Sequence, residues 1–272
     1  MDWIYGKTIL ITGASSGLGR AMTLQLIREH GCMVLGIGQS EEKMKSLIEE
    51  LSYLRDQFKY WIFDVSQEEN WNTFREELTY MNINVDLLIN NAGMLLPFEK
   101  SVNYTEEQVK RCMDVNFNSC RYSINAMLSI LRKSTMAGIV NVSSSGALAP
   151  LVGTGVYSAS KAAVKAYTET LIGELGREMY IGYVCPGFIM TDIFRSQYYK
   201  TESKLMKIIA NNVDKVAAKI IKKIIKQKNR IIVGKDAKFM NFTSKFFPVL
   251  GLKFYEQFIK HTKIDIFENV RQ

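Results

Sequence analysis

The sequence is poor in the residues that build disulfide frameworks and metal sites. Its 272 residues include four cysteines and two histidines, and no two cysteines stand within three positions of each other. Zinc sites and disulfide-rich domains need such residues in clusters. We therefore predict that no metal is bound, that the thiols are free and that no Ser-His-Asp triad operates.

Long hydrophobic runs are also missing. No uninterrupted apolar stretch approaches the ~20 residues that cross a bilayer. The sequence runs from Met1 straight into a strand-like segment at Lys7, with no apolar leader before it. Together with the scarcity of cysteine, these features predict a cytoplasmic protein.

Charge is unevenly distributed. The net charge is +8, yet the segment Lys200–Lys238 alone holds twelve lysines and arginines against three acids. Within it, Lys215–Lys228 has the pattern of an amphipathic helix, and we predict that its apolar stripe docks on a sheet while its lysines face solvent. Nucleic-acid binding is not expected, because no aromatic residues interleave with the lysines. Peripheral membrane contact is left open but is not favoured.

What the sequence does contain is a regular alternation of strand-like and helix-like segments, with 47% hydrophobic residues. This alternation predicts an α/β fold: one domain with a doubly wound parallel sheet of about seven strands and helices on both faces. We predict a catalytic and dinucleotide-binding domain over residues 1–238. The tail 239–272 is rich in Phe, Leu and Tyr, and it is predicted to cover the substrate pocket, form a subunit contact or touch a membrane surface.

A glycine-rich turn follows the first predicted strand. Thr12–Gly19 reads TGASSGLG and leads into a helix. Glycines let a backbone approach a pyrophosphate closely, and a helix N-terminus offers N–H donors and a positive dipole. The turn therefore predicts a dinucleotide site.

Further motifs follow in order. Asp64-Val65 ends the third predicted strand, Asn90–Gly93 reads NNAG, Ser143–Ser145 follows the fifth strand and Tyr157–Lys161 is a YxxxK motif. The set resembles the short-chain dehydrogenase/reductase family over roughly residues 5–235. The resemblance implies a Rossmann-like fold and hydride transfer between a nicotinamide cofactor and a ketone or secondary alcohol.

The resemblance also implies the residues that contact the cofactor, from each of the loops that follow a strand. They are Thr12, Gly13, Ser15, Ser16, Gly17, Leu18, Gly19, Gln39, Ser40, Asp64, Val65, Asn91, Ala92, Gly93, Tyr157, Lys161, Pro186, Gly187, Ile189 and Thr191.

The end of the second strand bears on the choice between NAD and NADP. A carboxylate there would bind the ribose hydroxyl of NAD and repel the phosphate of NADP. Gly38 occupies that position, and Gln39, Ser40 and Lys43 follow it. We therefore predict NADP as the cofactor, with NAD as the alternative.

The resemblance assigns four catalytic residues. Tyr157 is the acid/base and Ser144, thirteen positions earlier, polarises the substrate oxygen. Lys161 binds the ribose and, together with the positively charged nicotinamide, is expected to lower the pKa of the tyrosine. Asn116 anchors a water in a proton relay. Ser143 and Ser145 remain alternatives for the serine role.

Apolar residues near Met94, in Ala147–Val152 and in Phe188–Phe194 favour a bulky hydrophobic substrate such as a hydroxysteroid. Phe188–Asn211 is predicted to form a lid. The alternatives are a 3-oxoacyl reductase of fatty-acid synthesis and a non-catalytic nucleotide-binding protein on the same fold. By the resemblance, a homodimer or homotetramer is expected, formed through the helices predicted at Thr105–Leu131 and Tyr157–Met179.

Overall fold

A computed structural model describes residues 2–191, 210–261 and 268–271 of the chain. Its centre is a parallel sheet of seven strands in the order β3-β2-β1-β4-β5-β6-β7. The predicted doubly wound sheet is confirmed. Its strands are β1 Thr8–Thr12, β2 Met33–Gly38, β3 Phe58–Ile62, β4 Leu87–Asn90, β5 Gly138–Val142, β6 Tyr180–Pro186 and β7 Arg230–Val233.

Helices connect the strands and cover both faces of the sheet. The sequence of β1 shows why: Ile9 and Ile11 point into one buried cluster and Leu10 into the other. A strand that is buried on both faces has a continuous run of apolar residues in its sequence. The described helices are α1 Gly17–His30, α2 Glu41–Leu51, α3 Glu68–Tyr80, α4 Glu106–Met113, α5 Ser119–Leu131, α6 Gly155–Leu175, α7 Val213–Ile225, α8 Lys235–Phe246, α9 Pro248–His261 and α10 Glu268–Arg271.

Helix α2 ends at Leu51, because Ser52 takes a left-handed conformation with φ of 53° and starts a 3-10 turn. Two predicted helices differ in detail from the structure. The helix predicted over Tyr157–Met179 runs from Gly155 to Leu175. The helix predicted over Thr105–Leu131 is interrupted by one π-helical turn, Asp114–Asn118, between α4 and α5. Thr105 starts α4 with a capping box, in which its hydroxyl accepts from Gln108 and the Gln108 side chain accepts from Thr105.

Helix α7 confirms the docking predicted for Lys215–Lys228. Its stripe of Val216, Ala217, Ile220, Ile221 and Ile224 is buried in the same cluster as the core residues of β6, β7 and α1. Its lysines lie on the opposite face. The apolar stripe is therefore buried in the protein and is not available to a membrane.

The predictions about disulfides, metal sites and membrane-spanning helices can be compared with the described residues only. Within the described ranges, all four cysteines are buried and free, and no cluster of His, Cys, Asp or Glu could hold a metal ion. No helix in those ranges has both the length and the apolar character needed to cross a membrane. Most of the predicted lid, Phe188–Asn211, lies outside the described residues, including Ile193 and Phe194.

Candidate active site

The loops that follow the strands meet in one crevice. The sheet order reverses between β1 and β4, and the carboxyl ends of parallel strands at such a switch point are the usual ligand site of this architecture. A cavity of about 850 Å³ lies there, lined by loops that follow β1 to β6 and by residues of the tail. Its volume is within the range of small-molecule and cofactor sites.

Most of the predicted site residues are in the wall of this cavity. Three of the four predicted catalytic residues line it: Ser144, Tyr157 and Lys161. So do the predicted cofactor residues Gly13, Ser15, Ser16, Gly17, Leu18, Gln39, Ser40, Val65, Asn91, Ala92, Gly93, Pro186, Gly187, Ile189 and Thr191. Four predicted residues do not line the cavity but each contact a residue that does: Thr12, Gly19, Asp64 and Asn116.

The glycine-rich turn depends on two left-handed residues and one close approach. Gly13 and Gly17 have φ of 67° and 49°, which side chains other than glycine rarely adopt. Gly19 lies where a Cβ would stand 2.1 Å from the Gly13 carbonyl oxygen and 2.6 Å from Asn91 Nδ2. The first turn of α1 therefore packs directly on the loop. Ser16 precedes the helix without capping it through its side chain, so donors at the helix start remain for an anion.

Thr12 ties the two central strands together behind the turn. Its hydroxyl accepts from the backbone N–H groups of Asn91 (2.9 Å) and Ala92 (2.8 Å), and its carbonyl oxygen accepts from Asn91 Nδ2 at 2.9 Å. The loop after β4 is thereby held against the loop after β1, and the cavity keeps its shape at this point.

Asp64 is held by groups beside the cavity. One carboxylate oxygen accepts from the Ser66 backbone N–H and hydroxyl, and the other pairs with Arg111 at 2.9 Å. Burial favours a raised pKa for this carboxyl, but the hydrogen bonds from Ser66 and the Arg111 charge outweigh it and lower the pKa. Arg111 itself lines the cavity. The sequence offered no signal for Arg111, because it lies in a helix 47 positions after its partner.

The loop after β2 carries no carboxylate into the cavity wall. Gly38, Gln39, Ser40 and Lys43 all line it. The Ser40 hydroxyl accepts from the Lys43 backbone N–H and so caps α2. The lysine stands in the first turn of that helix, at the same end of the cavity as the glycine-rich turn.

Ser144 and Tyr157 are brought together across Gly146. A Cβ on that glycine would lie 3.5 Å from Ser144 Oγ and 3.7 Å from Tyr157 Cε1. Ser144 Oγ accepts from the Gly146 N–H at 3.1 Å, and its influence on the phenol of Tyr157 lowers the pKa of that phenol. Ser143 instead donates its hydroxyl to the Lys161 carbonyl at 2.7 Å. Of the three serines, Ser144 is therefore the one next to the phenol.

The pKa of Tyr157 is raised in the protein alone. The ring faces the cavity, but protein surrounds the phenol on its other sides, and this burial raises its pKa above the ordinary value. The neighbouring Ser144 hydroxyl opposes the rise without cancelling it. Lys161 by itself therefore does not lower the pKa of the phenol, because desolvation of the phenolate outweighs any attraction by the ammonium. The lowering predicted for Lys161 together with a positively charged nicotinamide stays a prediction.

Lys161 is buried, with 3% of its surface exposed. Its ammonium donates to the Val142 carbonyl oxygen at 3.0 Å, and a Cβ on Gly93 would lie 3.0 Å from Nζ. Burial lowers the pKa of this lysine, because its charged form is poorly solvated. A buried ammonium at the cavity wall is suited to binding a hydroxyl-bearing or anionic ligand.

Asn116 lies in the π-helical turn and joins two loops. Its Oδ1 accepts from the Met94 N–H at 2.8 Å, and its Nδ2 donates to the Met94 carbonyl at 3.0 Å and to Ser160 Oγ at 2.9 Å. Ser160 donates in turn to the Tyr157 carbonyl at 2.7 Å. The fully buried amide thereby links the loop after β4 to the first turn of α6. The predicted water at Asn116 stays a prediction.

The other end of the cavity is apolar and is formed largely by the tail. Of the apolar loop residues named from the sequence, Met94, Leu95, Leu151, Phe188 and Ile189 line it. Six tail residues that the sequence did not single out also do so. They are Phe239, Met240, Phe254, Tyr255, Phe258 and Ile259.

Asp236 is a further residue that the motifs missed. Its carboxylate accepts from the Phe188 N–H at 2.6 Å and from Asn211 Nδ2 at 2.9 Å, and it lines the cavity beside Gly187. It therefore ties the start of α8 to the loop after β6. An acidic residue in the first turn of a helix has an ordinary capping interpretation, which is why it gave no signal in the sequence.

A nicotinamide dinucleotide fits these residues. The uncapped start of α1 suits its pyrophosphate, and Lys43 and Arg111 add positive charge in the wall. At the Tyr157 end, a hydroxyl, a phenol and an ammonium surround one region of the cavity. Such groups can hold a substrate oxygen and exchange a proton with it.

Comparison with known proteins agrees with this geometry. The model of the family described as short chain dehydrogenase matches residues 7–202. The chain is 31% identical to 11-beta-hydroxysteroid dehydrogenase 1A of Arabidopsis thaliana over 206 residues, which cover 75% of this chain and 58% of that protein. It is 34% identical to the benzil reductase ((S)-benzoin forming) IRC24 of Saccharomyces cerevisiae over 175 residues, or 62% and 66% of the two chains. The matched region is thus less than two thirds of either relative's length.

A solved structure shows the same fold. A short chain dehydrogenase from Burkholderia cenocepacia, determined in complex with NADP, superposes with a TM-score of 0.75. It is 21% identical in sequence, and the superposition covers 90% of this chain and 95% of that one.

Proposed function

Because this chain belongs to the short-chain dehydrogenase/reductase family, we propose that it is an NAD(P)-dependent oxidoreductase that interconverts a hydrophobic ketone and the corresponding secondary alcohol. The observation that carries this proposal is the position of Tyr157 and Ser144. They line the same cavity as the glycine-rich turn and the apolar residues of the tail. One ligand can therefore bind at each end, with the phenol and hydroxyl between them.

The preferred nucleotide is NADP(H). Gly13 to Leu18 would receive the pyrophosphate, and Lys161 the nicotinamide ribose. Gln39, Ser40 and Lys43 would receive a phosphate on the adenosine ribose, where the protein has Gly38 in place of an acid. A Burkholderia cenocepacia protein with this fold was solved with NADP, which supports the same preference.

The four polar residues have distinct roles in the proposed reaction. When bound, the nicotinamide nucleotide supplies or accepts the hydride. Ser144 donates a hydrogen bond to the substrate carbonyl oxygen, which polarises it. Tyr157 donates its phenol proton to that oxygen during reduction and takes it back during oxidation. Lys161 holds the ribose and provides positive charge near the phenol, and Asn116 positions the first turn of α6 through Ser160.

The substrate is proposed to be a bulky apolar molecule such as a hydroxysteroid. The aromatic and aliphatic side chains of the tail, together with Leu95, Leu151 and Phe188, surround the end of the cavity beyond Tyr157. Relatives named as a hydroxysteroid dehydrogenase and a benzil reductase support a substrate of this kind. A cytoplasmic location and a homodimer or homotetramer stay predictions.

A substrate panel tests the proposal. The purified protein is incubated with NADPH or NADH and with a steroid ketone, an aromatic diketone, a 3-oxoacyl thioester or a short hydrophilic ketone, and the loss of reduced-cofactor absorbance is followed. We expect the highest kcat/KM for a steroid or aromatic ketone with NADPH. An apolar ring is worth about 2 kcal/mol or more when buried, which corresponds to a preference of at least about tenfold over the hydrophilic ketone.

Other outcomes contradict specific parts of the proposal. A preference for the thioester would replace the proposed substrate class with an acyl chain. Equal or better turnover with NADH would overturn the nucleotide preference. No turnover of any carbonyl compound by protein that binds NADPH would indicate a nucleotide-binding protein without this activity.

A further inference from the structure

The outer face of the α8–α9 hairpin is strongly apolar. Nine of the seventeen large apolar side chains exposed in the described ranges come from only twenty consecutive positions of this hairpin. We call these nine residues the aromatic face. They are Phe239, Phe242, Phe246, Phe247, Val249, Leu250, Leu252, Phe254 and Phe258.

Helix α9 carries large apolar side chains on its exposed side as well as on its buried side, which is unusual for a helix at the surface. Its inner side buries Gly251, Tyr255 and Ile259 against the protein. Its outer side carries five members of the aromatic face, where a solvated helix has polar residues. Exposed apolar patches of this kind mark a surface that another body covers.

The exposure does not come from a loosely packed hairpin. The hydroxyls of Thr243 and Tyr255 hydrogen-bond to each other and join α8 to α9. Gly251 lets the helices approach, since a Cβ there would stand 3.2 Å from Thr243 Cβ. Phe239 and Phe254 meet edge to face with ring centroids 6.0 Å apart. The fold itself therefore presents the aromatic face outwards.

Positive charge surrounds this face. Lys245 and Lys253 lie on the hairpin itself and are exposed. Beside it, a groove is lined by Lys219 and Lys223 of α7 and by Lys235 and Lys238 of α8. The two acids of the hairpin are already engaged: Glu256 pairs with Lys260, and Asp236 binds the Phe188 N–H. The charge therefore complements an anionic surface.

The substrate cavity reaches the same face. Phe239, Phe254 and Phe258 belong to the aromatic face and also line the cavity, and each is about half exposed. An apolar molecule that reaches the aromatic face would therefore contact side chains that also form the cavity wall.

We propose that the α8–α9 hairpin docks its aromatic face on the surface of a lipid bilayer that contains anionic lipids. The apolar side chains enter the interface, and the surrounding lysines contact the headgroups. Helix α9 has fourteen residues, a length of about 21 Å, and it lies along the surface rather than across the membrane. Delivery of a lipid-soluble ketone from the bilayer rests on the proposed function, whereas the docking itself does not.

Vesicle flotation tests the docking without substrate or cofactor. The full chain is mixed with phosphatidylcholine vesicles or with vesicles of phosphatidylcholine and phosphatidylserine, at low and high salt. We expect binding to the mixed vesicles, weakened by salt. The double variant Val249→Glu/Leu250→Glu, whose side chains are 66% and 68% exposed and lie outside the cavity wall, should reduce the partition coefficient about tenfold or more.

A matched variant controls for charge. Tyr80→Glu/Val102→Glu adds the same two charges at side chains that are 92% and 89% exposed elsewhere, and it should bind vesicles like the unchanged protein. Urea unfolding of both variants checks that they are folded. Since binding is read without turnover, a failure of the proposed reaction would leave this result intact.

Three results would overturn the proposal. These are no binding to either kind of vesicle, equal loss of binding in both double variants, and undiminished binding by the Val249→Glu/Leu250→Glu variant. If sedimentation velocity showed a dimer that only this variant dissociates, with no vesicle binding, the aromatic face would be a contact between two copies of the chain.

Discussion

At the scale of single residues, the proposed chemistry depends on the protonated phenol of Tyr157. Burial raises the pKa of this phenol, and the neighbouring Ser144 hydroxyl opposes the rise. A protonated phenol can donate to the oxygen of a carbonyl as negative charge develops there. In the proposed function the protonated phenol therefore serves carbonyl reduction, and loss of its proton at high pH should slow that reaction.

Substitution of Tyr157 by Phe removes the proton donor and preserves the ring. We expect kcat for carbonyl reduction to fall about 10² to 10⁴-fold, while dinucleotide affinity changes little. In the unchanged protein, kcat/KM should decline as pH rises through the pKa of the phenol, and the variant should lose this decline. Steady-state rates across alkaline pH measure both effects.

Tyr183→Phe is the matched control. Tyr183 is also buried, and its hydroxyl donates a hydrogen bond to Glu169 at 2.7 Å, but the residue does not line the cavity. Its turnover should remain near that of the unchanged protein. Activity of the Tyr157→Phe variant within about tenfold of normal would refute the assigned role.

At the scale of structural elements, the nucleotide end depends on how closely α1 approaches the loop before it. Gly19 permits this approach, because a Cβ there would collide with the backbone of Gly13. The interaction is steric and involves backbone atoms, so no change of side-chain rotamer can relieve it.

Substitution of Gly19 by Ala should separate α1 from the turn. We expect a loss of about 1–3 kcal/mol in the free energy of unfolding and weaker dinucleotide binding. Urea unfolding and fluorescence titration with NADPH measure the two effects. The reason is the 2.1 Å distance between the new Cβ and the Gly13 oxygen.

Gly173→Ala provides the opposite case. Gly173 is exposed within α6, and a Cβ there meets no atom within 4 Å. Alanine is the better helix former, so this variant should gain about 0.5–1 kcal/mol. If Gly19→Ala were as stable as the unchanged protein, the close approach of α1 would have no energetic importance.

At the scale of the whole molecule, buried thiols link stability to pH. Burial raises the pKa of Cys32 to about 12 and those of Cys120 and Cys185 to about 11. These thiols remain protonated in the folded protein at pH values where the unfolded chain ionises them. The unfolded state then binds fewer protons than the folded state, so stability decreases as pH rises.

We therefore expect the free energy of unfolding to fall above about pH 9, by about 1.4 kcal/mol per pH unit for each buried thiol. Urea titrations at about pH 8, 9 and 10 measure the slope. Cys32→Ser, which removes one ionisable group, should reduce the slope by one thiol's share whatever its effect on stability at neutral pH. A slope unchanged by this substitution would contradict the explanation.

The alternation of strands with helices, and the motifs at the carboxyl ends of those strands, could be predicted from the amino-acid sequence alone. These features are local: β1 is an apolar run because both its faces are buried, and Tyr157 and Lys161 share a helix face through their spacing. The apolar stripe of α7 was likewise predicted from the helical spacing of its apolar residues, and it docks on the core as predicted.

The remaining features depend on contacts that exist only in the folded chain. Arg111 and Asp236 reach the cavity from distant parts of the chain, and no spacing in the sequence encodes those contacts. The pKa of Tyr157 depends on all the groups that surround the phenol, so the neighbouring YxxxK lysine was not enough to predict its direction. The tail composition indicated apolar surface, but which side chains enter the cavity and which face outwards depends on how α8 and α9 pack, because burial is a property of the assembled fold.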